Sequence, residues 1–243
     1  SKHGVKPIIF AATGHVDQQR CFWFDRIDYA LQQVSSATIT VPFNDDPYTF
    51  FTDNPSNLKR SYAAFRKHCE YYFPNDESMQ EALNDVASFI ESDSHMALSQ
   101  LQYDAWSSIA TWTQLQQAYQ QNALEVGSHT VGHVRISRVQ PEVAFHELSQ
   151  SKQSIEDKIG TCCYFCYPNG DYNDTSEQLV KQAGYLAAVT VNSGLNKPGD
   201  DLFRLKRLSF PEQQHEYQIV YNLIIRPYFT RLKQQLFNSS SVP

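Results

Sequence analysis

Glu125-Val126-Gly127-Ser128-His129-Thr130-Val131-Gly132-His133 is the stretch on which the fold turns. From Leu124 the chain reads as a short strand that runs out at His129 into a loop, and the loop sets two imidazoles four residues apart. Imidazole is the commonest neutral ligand for zinc and similar divalent ions. On spacing alone the pair is as readily two unrelated histidines, because eight histidines in 243 residues will sometimes fall four apart by chance. A helical zinc-protease pair is disfavoured on two counts. Its general base would be a Glu directly after the first His, where this chain has Thr130. Gly132 also weakens any helix through the pair.

Working outward, the flanks alternate between helix and strand. Upstream, Thr113 to Asn122 has helical character, with Thr111 or Thr113 as its N-cap. Downstream, Pro141 to Ile159 is a helix that stops at Gly160, and Cys162 to Tyr167 is an apolar strand ended by Pro168-Asn169-Gly170. Thr175 to Ala183 is a helix with Gly184 past its end, followed by strands over Leu186–Val191 and Leu205–Phe210. Helix then strand, repeated, predicts parallel βα units. In α/β barrels the reactive groups gather at the C-terminal ends of the strands. His129 ends one such strand and Pro168-Asn169-Gly170 another, although the latter taken alone reads equally as an ordinary turn.

Nearer the N-terminus, Ile8 to Thr13 is a buried strand ended by Gly14, and Ser1 to Lys6 reads as the frayed end of a preceding helix. Residues 22–34 carry apolar side chains at helical spacing. Residues 37–52 alternate on both sides of Asn44-Asp45-Asp46-Pro47, a hairpin signal, and 56–73 and 77–91 are helices. No linker divides the chain. The expectation is one domain over 1–243, with 37–110 as an inserted hairpin and helices and 238–243 as a disordered tail.

Composition removes several function classes. Hydrophobic residues make up 41% and charged residues 19%, enough for a sizeable core. The net charge is -6 and no basic tract occurs, so nucleic acid is not an expected partner. No apolar run approaches the roughly 18 residues a membrane span needs. The odd cysteine count, five, does not read as a disulfide framework, which leans the localisation toward the cytoplasm with the periplasm as alternative. Cys163 and Cys166 point to opposite faces of an extended strand, which suits neither a redox pair nor a metal site. Trp23, Trp106 and Trp112 are core residues or sugar-groove faces.

These segments together resemble the polysaccharide deacetylase (NodB-homology) family. Glu125 to His133 is similar to its His-Ser/Thr-x-x-His motif with the usual lead-in. Phe165-Cys166-Tyr167-Pro168-Asn169-Gly170-Asp171 resembles its Pro-Tyr-Gly turn, and Ala183-Gly184-Tyr185-Leu186-Ala187-Ala188 the helix–strand junction that follows. Phe22-Trp23-Phe24-Asp25-Arg26 is similar to exopolysaccharide-associated members. The resemblance spans roughly residues 5–35 and 110–210. It implies a distorted, open (β/α) barrel and a divalent metal, zinc foremost, held by an Asp and two His. It also implies water-driven removal of acetyl groups from N- or O-acetylated sugars. Carried over by position, His129 and His133 are metal ligands, and the backbone N–H of Asn169 faces the developing oxyanion. Tyr167 and Pro168 flank the substrate, an acetylated oligo- or polysaccharide.

Three departures accompany the match. The family's Thr-Phe-Asp-Asp-Gly strand, source of the base and third ligand, precedes a segment resembling His3 to Phe10, so the expected barrel lacks its first strand. Asp45-Asp46 is no substitute, lying in a hairpin turn before Pro47. The family's Arg before the turn falls at Cys166, and its late general-acid His has no clear counterpart, His215 lacking the lead-in. Arg207 either faces the site or is structural. The alternative reading is therefore a non-catalytic carbohydrate-binding relative or a shortened chain.

Overall fold

The structure is a computed structural model that describes residues 4–43, 46–94, 107–208, 215–221, 225–226 and 229. Trp106, the hairpin tip at 44–45 and the tail 238–243 lie outside the described residues.

A five-stranded sheet carries the fold, built from β1 (Ile8–Ala11), β4 (Glu125–Ser128), β5 (Tyr164–Cys166), β6 (Ala187–Ser193) and β7 (Leu205–Arg207). Its strand order is β1-β4-β5-β6-β7, and every pairing is parallel. The order never reverses along the chain. A doubly wound sheet reverses at a switch point, whereas a sheet wound one way, with right-handed crossovers, grows like a barrel wall. The α/β barrel-type expectation is met. The crossovers are α5 (Trp112–Gln120), α6 (Pro141–Ile159) and α7 (Asp174–Gln182), with α5 and α7 both packed on α6. Their starts are fixed by local chemistry. Thr111 caps α5 in a reciprocal pair with Gln114, Pro141 opens α6, and Asn173 caps α7 with Ser176. Each such cap is worth about 1 kcal/mol.

Leu115, Val126, Leu148, Ile155, Phe165 and Val180 form the core between sheet and helices, all buried. Gly127 has a steric reason to be glycine: a Cβ there would lie 2.6 Å from Phe10 Cδ1 and 2.9 Å from the Tyr164 carbonyl oxygen. Two neighbouring strands close on that point from either side.

The segment between β1 and α5 builds a second core of its own. It contains α2 (Trp23–Gln33), the antiparallel hairpin β2 (Thr38–Val41) and β3 (Tyr48–Phe51), α3 (Pro55–Tyr72) and α4 (Asp76–Asp93). Ile27, Leu31, Phe50, Phe65, Leu83 and Ile90 fill it, each at most 1% exposed. Asn54 and Asn75 cap α3 and α4 through their side-chain oxygens. The inserted hairpin and both helices match the sequence expectation. Two buried ion pairs tie this unit inward: Arg26 with Glu91, and Arg135 with Asp76.

Three expectations need correction. Gly14 does not end a strand in a loop; it lies in a short helix, α1 (Thr13–Gln18). The two N–H groups at its start donate to the Thr130 and Val131 carbonyls, which gives a glycine-containing turn of helix a partner it would otherwise lack. Gly4 to Lys6 are not helical, since they lead directly into the paired strand β1. The strand expected over Cys162–Tyr167 is shorter at both ends, because its parallel ladder covers only Tyr164–Cys166. A last short helix, α8 (Glu216–Val220), follows the sheet. All five cysteines are free, and among the described residues no helix is long and apolar enough to cross a membrane.

Candidate metal centre

β4 delivers His129 at its C-terminal end, where the His129 N–H donates to the Ala11 carbonyl of β1. The chain then turns sharply. Thr130 and His133 both take positive φ, 66° and 60°, a left-handed conformation that costs a non-glycine residue about 1–2 kcal/mol. That strain persists because the loop is held from three sides. α1 grips the carbonyls of 130 and 131. From α6, Glu147 Oε2 accepts the N–H groups of Val131 (2.8 Å) and Gly132 (2.9 Å). From α4, the Gln80 side chain donates to the His133 carbonyl at 3.2 Å. Strain held this way concentrates at functional sites.

The result brings the two imidazoles together. Their ring centroids are 4.8 Å apart at an interplanar angle of 77°. His129 Nδ1 lies 2.6 Å from the Cys166 carbonyl oxygen. A carbonyl can only accept, so Nδ1 carries the proton and Nε2 keeps its lone pair. A ring N–H fixed by a backbone carbonyl is the common outer support of a metal-ligating histidine. Burial pushes the His129 pKa below its ordinary value, the Cys166 carbonyl opposes this, and the nearby Arg207 charge adds to the lowering. His133 is driven down to about 3, first by burial and then by the neighbouring His129 and His15. Both rings are therefore neutral at physiological pH, as ligation requires.

Aromatic rings cover His133 on the other side. Phe22 and Phe24 stand edge-on to His133 at 5.1 and 5.8 Å, and Phe22 also lies tilted against His15 at 4.1 Å. A cavity of about 180 Å³ opens beside His133, lined by Trp23, Phe24, Arg66, Gln80 and Asn169 among others. Asn169 is exposed and left-handed (φ 54°) in the turn Pro168–Gly170 after β5. Gly170 follows at φ 74°, and a Cβ on it would lie 2.3 Å from Val191. His133, from the loop after β4, and Asn169, from the turn after β5, thus line one cavity.

Other sequence candidates fall differently. Tyr167 is wholly buried, with its hydroxyl donating to the Phe203 carbonyl at 3.1 Å, and Pro168 is buried too. Strand alternation turns Tyr167 into the core, so neither presents a face to a ligand; they brace the turn that carries Asn169. Trp23 does line the cavity, whereas Trp112 donates to Asp17 at 2.6 Å. His215 is exposed at the start of α8 and stacks on Tyr217. Arg207 is both structural and near the site: it donates to the Thr190 carbonyl while its charge reaches His129.

Several supporting residues escaped the sequence reading. Glu147, Gln80 and Asp76 reach the loop from helices far away in sequence. Arg135 donates its backbone N–H to Asp76 Oδ2 (2.7 Å) and its Nε to Oδ1 (2.5 Å). Thr13 and Thr130 bury hydroxyls with no hydrogen-bond partner beside the loop. Such orphans cost about 1–3 kcal/mol and cluster where function overrides packing.

The donor set fits a divalent ion in part. His129 and His133 supply two neutral nitrogens, and among the described residues no group of three or more His, Cys, Asp or Glu converges to complete a shell.

Comparison with known proteins supplies the family. Partial spatial resemblances include the polysaccharide deacetylase BA0330 of Bacillus anthracis, at 20% identity and a TM-score of 0.43 over 50% of this chain and 39% of that one. Another is the Streptococcus pyogenes deacetylase PplD, solved with acetate, at 18% identity and a TM-score of 0.40 over 83% of this chain and 90% of that one. In sequence, the chain is 24% identical over 89 residues to Bacillus subtilis (strain 168) YxkH, named for polysaccharide deacetylation. That match covers 36% of this chain and about a third (32%) of the relative's length. The family described as polysaccharide deacetylase matches residues 1–188, more than three quarters of the chain. On that match, the chain belongs to the polysaccharide deacetylase family.

Proposed function

We propose that this protein removes acetyl groups from N- or O-acetylated sugars of a polysaccharide, and that His129 and His133 hold a divalent metal, zinc foremost, for that reaction. The observation that carries this reading is the pair of neutral imidazoles 4.8 Å apart at the end of β4, one with its Nδ1–H fixed by Cys166. When bound, such an ion supplies a Lewis acid for the acyl oxygen and acidifies water.

The chain's own residues set up the remainder. The Cys166 carbonyl fixes the tautomer of His129. Glu147 holds the backbone between the two histidines, which sets their separation. Phe22 and Phe24 keep bulk water off His133, strengthening electrostatic interactions there. Asn169 sits across the same cavity, where its backbone N–H serves a developing oxyanion. A runner-up, a carbohydrate-binding relative without turnover, draws on the two-donor set just described.

Zinc uptake by equilibrium dialysis, with parent protein against His129→Ala and His133→Ala, tests the metal claim. Uptake of one equivalent by the parent, lost by at least tenfold in affinity in both variants, is expected. Equal uptake by parent and variants overturns it. Acetate release from an N-acetylated oligosaccharide by the zinc-loaded protein separates the enzyme from the binding relative.

A further inference from the structure

The cavity at His133 is small, about 180 Å³, and it is not a closed box. Two of its lining residues, Phe24 and Arg66, also line a much larger cavity of about 820 Å³ between α2 and α3. The Phe24 ring is 5.8 Å from His133, and the same residue lines the large cavity. Its position is set from α3, since the Tyr62 hydroxyl donates to the Phe24 carbonyl at 2.7 Å. The large cavity therefore shares Phe24 and Arg66 with the cavity at the candidate metal centre.

Its chemistry is mixed in a way that suits one ligand class. Leu31, Val34 and Leu58 give it an apolar floor, while Asp28, Asp53 and Lys59 put polar groups at its rim. A pyranose has apolar C–H faces and an equator of hydroxyl donors. Carboxylates accept from hydroxyls and aliphatic or aromatic side chains cover the faces, the usual division of labour in a polar-ligand pocket. Carboxylates outnumber cations in the lining, three (Asp25, Asp28, Asp53) against two (Lys59, Arg66). An acidic glycan is disfavoured there, whereas an uncharged or amine-bearing one is not.

We propose that the α2–α3 cavity is a second subsite, holding neighbouring sugar units of the glycan whose acetylated unit lies at His129 and His133. This rests on the carbohydrate reading above. It assigns the inserted unit a role in recognition: the small cavity admits the reacting group, and the large one grips the chain.

The test uses the full chain without metal and a β-1,4-linked N-acetylglucosamine pentamer as probe, followed by isothermal titration. Ala63→Trp fills the cavity from an exposed position on α3, and Asp28→Ala removes a rim carboxylate whose recorded partner is Gln32. Thermal melting of each variant confirms that it is folded. Pentamer binding is expected in the parent, weakened at least tenfold in Ala63→Trp and several-fold in Asp28→Ala. Absent binding by the parent, or unchanged binding by folded Ala63→Trp and Asp28→Ala, overturns the subsite. If that binding pattern holds but the zinc-loaded parent releases no acetate from the pentamer, the deacetylase reading falls and the subsite stands.

Discussion

Replacing Asp76 by Ala should cost this protein about 3–5 kcal/mol, an effect large for a single residue on a helix start. Asp76 and Arg135 have side chains only 2% and 6% exposed, with Nε and Oδ1 2.5 Å apart. Removing the carboxylate leaves a guanidinium buried, its nearest remaining acid being Asp171 at 3.6 Å, itself 39% exposed. Breaking a buried pair by deleting one partner costs about 3–5 kcal/mol, because the surviving charge stays desolvated, here with only the longer contact to the half-exposed Asp171 left. The Arg135 backbone N–H also loses its acceptor, which falls within that figure. Chemical denaturation at neutral pH reads the loss directly as a fall in midpoint at constant slope. For a chain of this size each kcal/mol moves the melting temperature by about 2–4 °C, so a drop on the order of 10 °C is expected. The second arm is the double variant Asp76→Ala with Arg135→Met. It should recover at least half of the loss, since an apolar side chain of similar length suits the vacated site. A loss under 1 kcal/mol in the single variant, or additive losses in the double, would refute the assignment of this pair as a coupled buried contact.

Three further outcomes follow from the same coordinates. Glu147→Ala should weaken zinc binding about tenfold or more, while Glu147→Gln, which keeps an acceptor for the Val131 and Gly132 N–H groups, should restore most of it in the dialysis assay. Gly170→Ala should lose roughly 2–4 kcal/mol, part from a left-handed φ and part from overlap with Val191; adding Val191→Ala should return only the overlap share, leaving about 1–2 kcal/mol. In metal-free protein, stability should fall as pH drops from 6.5 toward 3. The unfolded chain protonates His133 below its ordinary pKa while the folded one holds it neutral down to about 3, so the unfolded state binds more protons throughout that window. The slope approaches at most about 1.4 kcal/mol per pH unit for this residue, and His133→Asn should flatten it. A parent curve no steeper than the variant's would contradict the burial argument.

The parts of this molecule legible in sequence were those with a local cause. Pro141 and Gly160 bracket α6 because a proline opens a helix and a glycine closes one, and Thr111 caps α5 through its own side chain. The position of His129 just past β4 and of Asn169 in the turn after β5 was legible because Gly, Pro and Asn mark where each apolar strand stops. What stayed hidden depends on distance along the chain. Glu147 reads as one more polar residue on an amphipathic helix, and only the fold shows two loop N–H groups pointing at it. α1 was missed because six residues containing a glycine have weak helical propensity, and its stability comes from the Thr130 and Val131 carbonyls. Tyr167 was misplaced for the opposite reason: its position in the turn segment suggested a surface contact, while strand alternation sent it inward.

The aromatic enclosure of His133 has a spectroscopic consequence. Phe22 and Phe24 stand edge-on to its imidazole, and His129 lies nearly perpendicular to it. The ring protons of His133 therefore sit in the superposed magnetic anisotropies of three neighbouring π-systems. Their resonances should be displaced from those of the exposed His146. An ion captured between the two imidazoles, or a sugar that shifts Phe24, alters those surroundings, so this histidine is a built-in reporter of both events.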